Sequence, residues 1–72
     1  MDKTEIDFIL LQHIRNRKDR EIMSLYLTDY PGSLEALADE CDVSWSTVKR
    51  VIKRCSFVYK YIPVDELKLT RN

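Results

Sequence analysis

Between Trp45 and Ile62 the chain carries Lys49, Arg50, Lys53, Arg54 and Lys60 and no acid. Cationic donors repeated at helical spacing suit the oxygen-rich surfaces of nucleic acid, with phosphates as point anions and guanine edges as paired acceptors. The preceding stretch has the opposite sign, with Glu35, Asp39, Glu40 and Asp42 and no base from Leu34 to Asp42. Twelve basic and twelve acidic residues leave the whole chain with no formal net charge, so any attraction to DNA must come from one face. Catalytic chemistry finds little to work with. Ser46 has no base near it in the motif, His13 is the only histidine, and neither paired carboxylates nor a glycine-rich phosphate loop is present. An enzyme is not expected, nor a cofactor or a small-molecule substrate. One histidine and two well-separated cysteines do not make a zinc ligand set.

The elements that position these bases are legible from Ser33 onward. A twenty-residue helix-turn-helix fits from Leu34 to Lys53. Ala38 stands where the second helix must cross closely, and Leu37, Cys41, Val43, Val48 and Val51 supply the shared apolar seam. Ser33 and Ser44 each precede a helical pattern, where a hydroxyl can accept from a free backbone N–H. The turn needs a left-handed residue, usually glycine. Asp42 occupies it, and aspartate tolerates that conformation better than most.

Core-facing Val48, Val51, Ile52 and Cys55 leave Trp45, Ser46, Lys49, Arg50 and Lys53 on the opposite side. These are the expected base contacts, with Arg50 best placed for a bidentate pair with guanine. Ser44, Thr47 and Arg54 at the margin, with Arg17 and Lys18 from the basic cluster Arg15–Arg20, are expected at phosphates. Trp45 has three readings: stacking on the nucleic acid, folding back over the supporting helix, or anchoring a protein interface.

Upstream, a first helix is expected from about Glu5 to Arg15 with Thr4 as its cap and Phe8, Leu10, Leu11 and Ile14 as its core stripe. A second runs from about Arg17 to Asp29, capped by Asn16. Ile22, Met23, Tyr26, Leu27 and Tyr30 form its inner face, and Tyr30–Gly32 ends it. Downstream, Val48, Ile52, Cys55, Tyr59 and Ile62 keep helical spacing, which favours one long recognition helix from Trp45 to about Ile62, stopped by Pro63. The alternative is a winged form, in which the aromatic and β-branched run Phe57–Ile62 is a strand whose hairpin returns through Leu67–Leu69. Residues 63–72 are expected to be a short helical turn or a mobile tail. The prediction is a single all-α domain over residues 1–72 with about four helices.

The order RNRKDREIMSLYLTDY, turn, SLEALADECDVSWSTVKRVIKR resembles the DNA-binding region four of bacterial sigma factors and the small sigma-like regulators of phages and other mobile elements. The resemblance covers about Arg17 to Ile62. It implies that LEALA is the supporting helix, that VSWSTVKRVIKR is the recognition helix, and that RNA polymerase is a partner. The expected function is a sequence-specific DNA-binding transcriptional regulator on double-stranded DNA. A rival is a helix-turn-helix-fold protein-interaction module, such as a phage or mobile-element inhibitor of a host enzyme or defence complex.

A module this small buries only about 600 to 1,000 Å² on DNA, so tight binding calls for a second copy or an accessory protein, and either the first helix or Phe57–Tyr61 could supply the surface of a homodimer. No apolar run approaches the ~20 residues needed to span a bilayer, and no signal peptide is apparent. With Cys41 and Cys55 read as small buried apolar residues in a reducing compartment, a soluble cytoplasmic protein is expected.

Overall fold

A computed structural model describes residues 2–62 as an all-helical domain with no strand among them. Four α-helices, α1 (Lys3–His13), α2 (Arg17–Thr28), α3 (Leu34–Cys41) and α4 (Trp45–Arg54), are followed by a 3-10 helix at Ser56–Lys60. Helix α2 is central. It packs on α1 on one side and on α3 and α4 on the other, and the 3-10 helix returns the chain from α4 to α1.

Side chains close the start of each α-helix. Asp2, rather than Thr4, caps α1, accepting from Glu5 N–H at 2.9 Å while the Glu5 carboxylate accepts from Asp2 N–H at 3.1 Å. This reciprocal box satisfies two otherwise orphaned donors and draws the helix start two residues earlier than expected. Asn16, Ser33 and Ser44 cap α2, α3 and α4.

The turn between α3 and α4 forms around Asp42, at φ 57° and ψ 47°. Its N–H donates to the Asp39 carbonyl and Val43 N–H to the Ala38 carbonyl, closing the helix in the Schellman pattern over a left-handed residue. Gly32, at φ 102°, makes the other turn that needs this freedom.

Every element contributes to one core. Ile6, Leu10 and Ile14 come from α1 and its C-cap, and Ile22, Met23 and Leu27 from α2. Leu37, Ala38 and Cys41 come from α3, Val48, Val51 and Cys55 from α4 and its C-cap, and Val58 and Ile62 from the chain beyond. Fully burying a branched aliphatic side chain is worth about 1.5–3 kcal/mol, so this set carries the stability of a short chain. Both cysteines are buried and free.

Two expectations about faces are corrected. On α1 the core stripe is Ile6, Leu10 and Ile14, whereas Phe8 and Leu11 are each 59% exposed. The helix is apolar on two sides, and spacing alone does not say which side meets α2. Tyr30 on α2 is likewise exposed, and meets Tyr26 edge-on with ring centroids 5.4 Å apart.

The recognition helix is also shorter than expected, because α4 ends at Arg54 and the spiral tightens. Ser56 Oγ donates to the Lys53 carbonyl at 2.9 Å, a local bond that competes with continued α-helix. Cys55 sits at φ −94° and ψ 10°. With three residues per turn after that point, Cys55 and Val58 face the core together, and Val58 takes the place expected of Tyr59. Helical spacing through Ile62 survives the change of pitch, and no strand forms at Phe57–Ile62. The readings that involve Pro63, Leu67–Leu69 and residues 63–72 as a tail lie outside the described residues.

Candidate nucleic-acid interface

Helix α4 begins one residue after the cap Ser44, whose Oγ accepts from Thr47 N–H at 3.1 Å and lies 2.8 Å from Thr47 Oγ1. Val48 and Val51 are fully covered, and that fixes which side of the helix looks outward. Trp45, Ser46, Lys49, Arg50 and Lys53 are all exposed on it. The Lys49 ammonium stands 4.4 Å from the centre of the Trp45 ring, a cation–π contact between residues four apart. Trp45 itself remains 46% exposed beneath that charge. Arg50 Nη2 reaches Thr47 Oγ1 at 3.4 Å, so the cap orients the guanidinium through a chain of two hydroxyls. Among the described residues, no acid lies within ion-pair distance of Lys49, Arg50 or Lys53.

Other bases are placed differently. Arg54, expected at a phosphate, donates instead to the largely buried Asp19 carboxylate of α2 at 2.6 Å. The hydrogen bond and charge of Asp19 raise the Arg54 pKa further above its ordinary range. A carboxylate 8% exposed requires a counter-charge, and Arg54 supplies it across the α2–α4 junction. Lys18, also expected at a phosphate, donates to the Cys41 carbonyl at 2.9 Å and pairs with Glu21 at 3.2 Å. It thereby holds the C-terminus of α3. Arg20 does the same for α1, donating to the Ile14 and Arg15 carbonyls at 2.7 and 2.8 Å. Of the basic cluster, Arg15 and Arg17 remain exposed with no acid partner among the described residues.

Sequence reasoning missed the Asp19–Arg54 pair because its partners are 35 residues apart. The stack of His13 on Tyr61, with centroids 4.0 Å apart and planes 8° from parallel, was missed for the same reason. Burial raises the thiols of Cys41 and Cys55 above their ordinary value, helped at Cys41 by the charge of Glu21 and at Cys55 by that of Asp19. Both are suited to filling space rather than to nucleophilic work.

No described helix is long and apolar enough to cross a membrane, and no three potential ligands converge on a metal site among the described residues. Comparison of the chain with protein-family models, with curated proteins and with solved structures finds no match.

Proposed function

We propose that the chain is a sequence-specific DNA-binding transcriptional regulator that lays α4 in the major groove. One observation carries this reading: Lys49, Arg50 and Lys53 share an exposed helix face with no acid in reach among the described residues, while Lys18, Arg20 and Arg54 are engaged inside the protomer. Arg50, steadied by Thr47, is the base-reading side chain, and a bidentate pair with guanine contributes roughly 1–3 kcal/mol of discrimination. Lys49 and Lys53 reach bases or flanking phosphates, and Ser46 and the Trp45 ring sit where the helix start meets the groove. Arg17 grips the backbone from the start of α2. Ser44 caps the helix and, through the Thr47 hydroxyl, serves the interface at Arg50. The resemblance to sigma region four points to promoter DNA and to RNA polymerase as the larger partner.

A second reading, a protein-interaction module on the same fold, draws on the exposure of Trp45 and Phe57 near the two ends of α4. Selection of bound duplexes from a random pool separates the two. The DNA reading expects an enriched motif with a G·C pair whose preference disappears in Arg50→Ala. A pool that stays random after repeated rounds at low salt overturns it in favour of the module.

A further inference from the structure

The outer side of α1 is apolar where that of α4 is charged. Phe8 and Leu11 are more exposed than Trp45, Phe57 or Tyr61, and sit three residues apart on the side of α1 opposite Ile6 and Leu10. Opposite charges bracket them. Glu5 stands one turn before Phe8 near the start of α1, and the exposed Arg15 lies just past its other end, one residue after the extended C-cap Ile14. Glu5 gives one carboxylate oxygen to the cap, and its other oxygen has no partner among the described residues. Arg15 is held through its backbone carbonyl by Arg20, and its guanidinium has no partner among the described residues.

We propose that this face binds a second copy of the chain, α1 against α1, antiparallel about a two-fold axis. The charges choose the direction. A parallel pair would set Glu5 on Glu5 and Arg15 on Arg15, whereas an antiparallel pair sets each Glu5 against Arg15 of the second copy. The same register brings Phe8 beside Leu11 and Gln12 of the second copy, because all of these pairs are centred near residue 10. The patch is thus self-complementary, as a two-fold interface requires. Two large side chains per copy make a small interface, so the dimer forms in a concentration-dependent way at roughly 100 µM and above. This inference does not depend on DNA binding by α4.

Sedimentation equilibrium of the full chain without DNA tests it. The wild type rises from monomer towards dimer mass with concentration. Phe8→Glu and Leu11→Glu each weaken association by at least about tenfold while leaving the thermal melt in place, because both positions are exposed. Arg15→Glu alone and Glu5→Lys alone also weaken it, by about tenfold, since each homodimer then faces like charges twice. An equimolar mixture of those two variants restores dimer, because only the mixed pair regains both attractions. That restoration is independent of any helix stability lost with the Glu5 cap. A wild type that stays monomeric to about 1 mM, or a mixture that associates no better than its components, overturns the proposal. Neutralising Lys49 and Arg50 leaves association unchanged, so a failure here and a failure of DNA binding are read separately.

Discussion

Lys18, Arg20 and Arg54 are bonded within the protomer, where carbonyl groups at helix ends and the largely buried Asp19 accept from them, while Lys18 and Arg54 stay about half exposed. Lys49, Arg50 and Lys53 keep their charge outward, although Arg54 follows Lys53 directly on the same helix. The difference teaches that positive charge in a neutral chain serves two purposes, and that the acceptor within reach, a carboxylate or a helix-end carbonyl, decides which. Asp19 on α2 takes Arg54 because α2 crosses α4 there, and Glu21 and the Cys41 carbonyl take Lys18. The acids of α3 pair with none of the α4 bases among the described residues, so the local field of α4 stays open to a ligand.

The largest expected effect breaks this comparison from the outward side. Replacing Lys49, Arg50 and Lys53 together by Gln lowers affinity for a selected duplex by about 100-fold or more, and leaves the melting temperature within a degree or two of wild type. Anisotropy titration and circular dichroism read the two quantities. Affinity that survives the triple change would mean that α4 is not the binding face.

The inward side responds in the opposite sense. Arg54→Ala leaves the Asp19 carboxylate covered and without its counter-charge, so the melting temperature falls. Differential scanning calorimetry reads the loss, and Asp19→Asn together with Arg54→Gln recovers part of it. Equal melting of Arg54→Ala and wild type would place Arg54 back among the free bases. Compared at a temperature where both chains are folded, Arg54→Ala changes DNA affinity far less than the triple change does.

A smaller effect comes from groups that neither population contains. Burial raises the Tyr59 phenol, which matters only above about pH 10, and the thiols of Cys41 and Cys55, so the folded chain keeps thiol protons that the unfolded chain releases above about pH 8.5. Their contribution is intact below that pH and is lost as pH climbs through the raised folded values. Thermal melts at pH 7.5 and 9.5 should show a decline that is shallower in Cys55→Ala. A slope identical in the variant and the wild type would remove the thiol from this account.

What the sequence disclosed follows from how local each interaction is. Asn16, Ser33 and Ser44 were readable as caps because a cap bonds within three residues, and Asp42 as the left-handed turn because few residue types accept that backbone. The buried seam of Leu37, Cys41, Val48 and Val51 was readable from period. Phe8 and Leu11 were misplaced because α1 has apolar side chains on both sides and only packing on α2 chooses between them. The end of α4 was misplaced because the hydroxyl of Ser56 and the pitch change after Cys55 leave the hydrophobic spacing nearly unaltered. On the candidate interface, exposure of Trp45, Lys49, Arg50 and Lys53 followed from helix geometry. The engagement of Arg54 by Asp19 and of Lys18 by the Cys41 carbonyl did not, since those partners lie 35 and 23 residues away, whereas the Lys18–Glu21 pair is local.

The central claim is that the open cationic face of α4 meets duplex DNA, and the salt dependence of binding tests it most directly. Anisotropy of a labelled duplex carrying the selected motif, titrated at salt concentrations between about 50 and 200 mM, should give log K falling linearly with log salt at a slope near −3, as for three or four neutralised phosphates. Retention of no duplex even at the lowest salt, or binding whose strength ignores salt, would contradict it.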